Sequence, residues 1–142
     1  MEDWIRDLPK VQLHDHLDGG LRPATIIELA AERDIELPAT EEDELAQWFF
    51  RGADQGSLPR YLEGFATTLA VMQDEDALRR VAIEHVLDLA ADGVVYGEVR
   101  FAPVLHADQG LDPGRVLEVV LEGIGSGCEQ TGIDVRVIVC SL

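Results

Sequence analysis

The sequence predicts an α/β fold with a parallel sheet, on three observations. Short apolar stretches at Val11 to His14, Val94 to Pro103 and Asp134 to Ser141 read as strands. Segments with helical periodicity separate them, giving the order β, several helices, β, helix, β that right-handed crossovers require. The last β-helix-β unit spans about 40 residues, near the repeat of an eight-stranded α/β barrel, whereas the first gap of roughly 80 must hold extra helices.

The first strand places Val11 and Leu13 on one side and Gln12 and His14 on the other. Pro23, suited to a first helical turn, opens a helix to about Arg33 that carries Ile26, Ile27, Leu29 and Ala30. Thr40-x-x-Asp43 resembles a capping box and opens a second helix that Gly52 ends. Ser57 then precedes Leu58, Tyr61, Leu62 and Phe65, an i, i+3, i+4, i+7 stripe. A long helix from about Glu75 to Asp92 ends at Gly93, with Leu78, Val81, Ala82 and His85 or Val86 along its apolar side. Asp112-Pro113 starts the next helix, which runs to about Gly132. The β-branched strand after it, Asp134 to Ser141, has the composition that a parallel sheet buries on both faces.

Composition narrows the function. Of 142 residues 46% are hydrophobic, and no segment is biased enough to suggest disorder. A formal charge of -17 argues against nucleic-acid and acidic-membrane partners, which bind through Lys and Arg. No apolar run is long enough to span a bilayer, and "MEDWIRDLPK" lacks the pattern of a signal peptide, so a cytoplasmic location is expected. Cys128 and Cys140, without C-x-x-C spacing, read as a reduced, buried pair. Residues 1–142 read as a single partial domain: the sequence stops after an apolar strand, which implies either the first part of something larger or a partner that completes it through open strand edges, including self-association.

The chemistry sits in "KVQLHDHLDGGL", Lys10 to Leu21. Residues two apart on a strand share a face, so His14 and His16 aim at one point near the strand's C-terminal end, where sites form in parallel α/β proteins. Two imidazoles there suit a divalent metal, although a catalytic zinc takes about three protein ligands. His106 reads as a surface or hydrogen-bonding residue, His85 as structural, and Asp18 equally as a turn residue before Gly19-Gly20. Tyr96, Glu98 and Arg100 share one face of the second strand, and Glu98 with Arg100 reads as a structural ion pair.

"LPKVQLHDHLDGGLRPATIIELA" resembles the opening of the adenosine deaminase family, in the metal-dependent amidohydrolase superfamily; "SLPRYLEGF", "GVVYGEVRFAP" and "GIDVRVIVCSL" resemble its lid helix and its second and third barrel strands. The resemblance implies a TIM (β/α)8 barrel, of which this chain supplies about the first three strands plus extra helices after strand 1. It implies one Zn2+ per active site, with His14 and His16 as two metal ligands. It implies that Asp18 bonds a ribose 5'-hydroxyl; adenine-specific relatives more often carry glutamate there. Leu58, Tyr61, Leu62 and Phe65 become a wall or lid over the purine, a stripe that plain helix packing also explains. The implied reaction is hydrolytic deamination of adenosine and 2'-deoxyadenosine to inosine and ammonia, by a site unlike the zinc deaminases with H-x-E and P-C-x-x-C motifs. No residue of residues 1–142 takes the general acid/base role, which is expected beyond Leu142, so this chain alone is expected to be inactive. The alternatives are an adenine or modified-purine deaminase of the same superfamily, or a non-catalytic interaction module.

Overall fold

In the computed structural model the chain runs α1 (Asp3–Arg6), β1 (Lys10–His16), α2 (Pro23–Glu32), α3 (Glu42–Ala53), α4 (Leu58–Val71), α5 (Glu75–Ala91), β2 (Val94–Phe101), α6 (Pro113–Thr131) and β3 (Asp134–Val139). Short 3-10 turns follow β1 at Leu17–Gly19 and β2 at Pro103–His106. The structure describes residues 3–6, 8–53, 56 and 58–141, without the side chains of residues 3, 6, 53 and 58–60. Ser57 and the Leu58 side chain therefore lie outside the described residues.

The strands form one parallel sheet in the order β1-β2-β3. Helix boundaries follow local chemistry. Pro23 occupies the first turn of α2. The Asp74 side chain caps α5 by accepting from the Ala77 amide at 2.9 Å, and Asp112 caps α6 through the Gly114 amide at 2.9 Å. Gly132 closes α6 in the left-handed conformation at φ 78°, which glycine adopts without steric cost. Val99 and Phe101 of β2 and Val135 of β3 share one core with Val81 and Val86 of α5 and Val119 and Ile124 of α6. Each such buried side chain contributes roughly 1.5–3 kcal/mol relative to exposure.

Three expectations change. β1 does not stop at His14 but continues through His16, so both histidines belong to the strand. β3 is not buried on both faces along its length in residues 1–142: Val135 is buried and Val137 half-buried, whereas Ile138 and Val139 are 41% and 51% exposed. Glu98 and Arg100 do not pair. Each finds another partner instead. The Tyr96 hydroxyl donates to Glu98 at 2.9 Å, which raises the Tyr96 pKa, while Arg100 Nε donates to Cys140 Sγ at 3.2 Å.

Candidate metal centre and substrate cavity

Parallel strands bring their C-terminal ends to one side of the sheet. His16 pairs with Arg100 across β1 and β2, and the Cys140 amide donates to the Phe101 carbonyl at 2.9 Å, so His16, Arg100 and Cys140 gather there. The His14 and His16 rings lie 5.4 Å apart, as the i, i+2 spacing predicts. His14 is exposed, the His16 side chain is 41% exposed, and an Arg100 guanidinium nitrogen sits 3.4 Å from His14 Nε2. Two neutral imidazoles fit zinc as part of a ligand set. Among the described residues no cluster of three or more His, Cys, Asp or Glu side chains completes that set.

Asp18 stands beside the pair. The turn after β1 buries it to 6% exposure, and its Oδ1 lies 3.7 Å from His16 Nδ1 without a hydrogen-bond partner. A buried acceptor left unpaired costs about 1–3 kcal/mol, so a ligand donor at this atom would be well rewarded. Asp18 borders two cavities. One of about 410 Å³ is lined by His16, Arg100, Cys140, Tyr61, Leu62 and Phe65; the other, about 560 Å³, reaches along α3 past Trp48 and Phe49. The Phe65 ring meets His16 edge-on at 6.0 Å and Tyr61 at 5.6 Å. Tyr61 and Leu62 stay 46% and 50% exposed, so this stripe faces a cavity rather than the core.

Beneath the site, Asp15 turns to the other face of β1. The nearby His85 imidazole, chiefly, holds its carboxyl below the usual carboxylate range. His85 is buried, 5% exposed. His106 is not a surface residue: it is fully buried, its Nδ1 lies 3.1 Å from the Met72 carbonyl, and burial pushes its pKa down. Cys128 and Cys140 are free thiols, half-buried rather than buried. The aromatics of α3 escaped sequence reasoning, although three consecutive aromatics, Trp48 to Phe50, cannot all face one core on a helix.

β1 thus ends in two imidazoles 5.4 Å apart, and the turn after it buries a carboxylate beside the second of them. The model of the adenosine deaminase family matches residues 9–142, and the chain belongs to that family. An adenosine deaminase from Mycobacteroides abscessus is 54% identical over 144 residues, covering 97% of this chain and 40% of the relative. Among solved structures, an adenine deaminase from Arthrobacter aurescens matches with TM-score 0.76 and 26% identity, over 92% of this chain and 38% of that one. A zinc-bound amidohydrolase from Burkholderia ambifaria matches with TM-score 0.81 and 26% identity, over 96% of this chain and 36% of that one. The chain thus spans about 40% of the length of the curated relatives it matches. The shared fold is a TIM barrel, to which this chain contributes three strands and the extra helices α2 to α4 between β1 and β2.

Proposed function

We propose that the protein carrying this chain deaminates adenosine and 2'-deoxyadenosine hydrolytically, replacing the C6 amino group by oxygen and releasing ammonia. His14 and His16 hold a zinc ion together with ligands outside residues 1–142. When bound, zinc supplies the Lewis acidity that makes water a nucleophile near neutral pH. Asp18 accepts a hydrogen bond from the ribose 5'-hydroxyl and so fixes the nucleoside. Tyr61, Leu62 and Phe65, with the Leu58 backbone opening the same helix, flank the purine and exclude water from it. The general acid/base lies beyond Leu142, so residues 1–142 alone do not turn over. With free thiols and a small soluble substrate, the enzyme belongs in the cytoplasm.

The observation that carries this reading is the unpaired, buried Oδ1 of Asp18 beside His16. It also favours a nucleoside over adenine, the substrate named for the Arthrobacter relative. Ammonia release by the protein at its natural length decides the matter, with adenosine, 5'-deoxyadenosine and adenine as substrates. A site built to bond a hydroxyl discriminates strongly against the analogue lacking it, and Asp18→Ala should erase that discrimination. Equal turnover of adenosine and 5'-deoxyadenosine by the wild type, or preference for adenine, would refute the assignment.

A further inference from the structure

Asp15 is the one member of the histidine motif for which the proposed chemistry has no use. It lies between His14 and His16, so its side chain leaves the opposite face of β1, toward the helices, where a carboxylate needs partners. It has two. Oδ1 accepts from the His16 amide at 2.9 Å, and Oδ2 lies 3.4 Å from Nε2 of His85. His85 projects from α5 and is 5% exposed; its buried Nε2 has no hydrogen-bond partner among the described residues, and the Asp15 carboxylate at 3.4 Å is the acidic group set against it. The other edge of this imidazole rests on the turn after β1: a Cβ at Gly20 would come 3.0 Å from its Nδ1. The pair therefore touches both the second histidine and the turn that carries Asp18.

The strand needs such an anchor. From Gln12 to Asp15 β1 advances three residues while its partner advances two, from Gly97 to Val99. One extra residue at Leu13 or His14 makes a bulge, which re-aims side chains and leaves backbone groups outside the ladder. The Asp15 carboxylate takes up the first amide beyond it.

We infer that Asp15 and His85 are a positioning pair: tied to α5, the carboxylate holds the His16 backbone after the bulge and thereby sets the direction of the two imidazoles. This rests on the proposed role of His14 and His16 as metal ligands. Its test is zinc affinity, measured on the protein at its natural length by competition with a chromophoric chelator, with the visible spectrum of the Co2+-substituted protein reporting ligand geometry. Asp15→Ala and His85→Leu should each weaken zinc about tenfold or more and alter the cobalt spectrum, as loss of an orienting partner does elsewhere. His85→Gln, whose side-chain amide can present an N–H to Asp15, should recover most of that affinity. A pair that only stabilises the fold would lower the unfolding midpoint and leave zinc affinity within about twofold of wild type, far short of an orienting partner's effect, and that result overturns the inference. Should Asp15→Ala fail to fold, Asp15→Asn and Gly20→Ala carry the same comparison, the first removing the charge and the second crowding the imidazole. Wild-type zinc binding that survives loss of both His14 and His16 defeats the proposed function itself and removes the inference with it.

Discussion

Two glycines of α6 allow it to lie against α5, and a third does not touch that helix. A Cβ at Gly127 would come 2.6 Å from Val86 Cβ and about as close to both of its methyls, at 3.0 and 3.1 Å. A Cβ at Gly123 would meet Ala82 Cβ at 2.7 Å and the Arg79 carbonyl at 2.8 Å. At Gly125, on the opposite face, nothing lies within 4 Å. Alanine in place of glycine within a helix gains about 0.8–1.0 kcal/mol from propensity, and Gly125→Ala should show that gain in full. At Gly127 the same gain is set against overpacking of about 1–3 kcal/mol, since the short, branched Val86 cannot swing aside. The net effect is a loss of up to about 2 kcal/mol, and the two substitutions differ by about 1–3 kcal/mol in opposite directions. Urea unfolding of each variant at natural length, at constant m-value, reads this directly. A Gly127→Ala protein stabilised as much as Gly125→Ala would mean that the two helices do not pack at the distance described.

Other outcomes follow from single groups. Phe65→Ala removes a ring worth about 0.5–1.5 kcal/mol of aromatic contact, so the KM for adenosine should rise by up to about tenfold while kcat changes less; a fall in kcat alone would contradict its place beside the purine. His106 stays neutral when folded because burial lowers its pKa beneath the ordinary 6.5. The unfolded chain takes up a proton there first, so the contribution is complete above about pH 6.5 and declines below it, by at most about 1.4 kcal/mol per pH unit. Urea midpoints from pH 8 to about 5 should therefore fall less steeply in His106→Gln than in wild type, and parallel curves would refute the assignment. Burial opposes ionisation of Asp74, yet the Arg33 guanidinium and the Ala77 amide hold its carboxyl below the usual range. Its stabilising effect is present above about pH 4 and disappears as pH falls through the lowered value; Asp74→Ala should cost about 1 kcal/mol at neutral pH through the lost cap, and Asp74→Asn distinctly less.

Features carried by neighbouring residues were legible in the sequence. The i, i+2 histidines at the end of a strand, Pro23, Gly93 and the Asp112-Pro113 start of α6 each act within a turn of themselves, and the structure places them accordingly. Features set by distant parts of the chain were not. The bulge in β1 depends on register with β2, some eighty residues on. The Glu98 and Arg100 expectation counted opposite charges on one face, but Tyr96, at the same spacing, takes Glu98, and Cys140, just beyond β3, takes the guanidinium. For His106 the sequence left a surface and a hydrogen-bonding role open; the structure buries it, and the carbonyl it meets belongs to Met72, beyond the end of α4. β3 has the sequence of a buried strand, and within residues 1–142 only its Val135 is fully covered.

In the proposed function, the two imidazoles leaving β1 hold the metal on which turnover depends. Zinc content by atomic emission, measured alongside adenosine turnover on the natural-length protein and on its His14→Ala, His16→Ala double variant, tests it most directly. About one zinc per wild-type chain, with both metal and ammonia release lost from the double variant, is the predicted result. A double variant that keeps its zinc and its rate would contradict it.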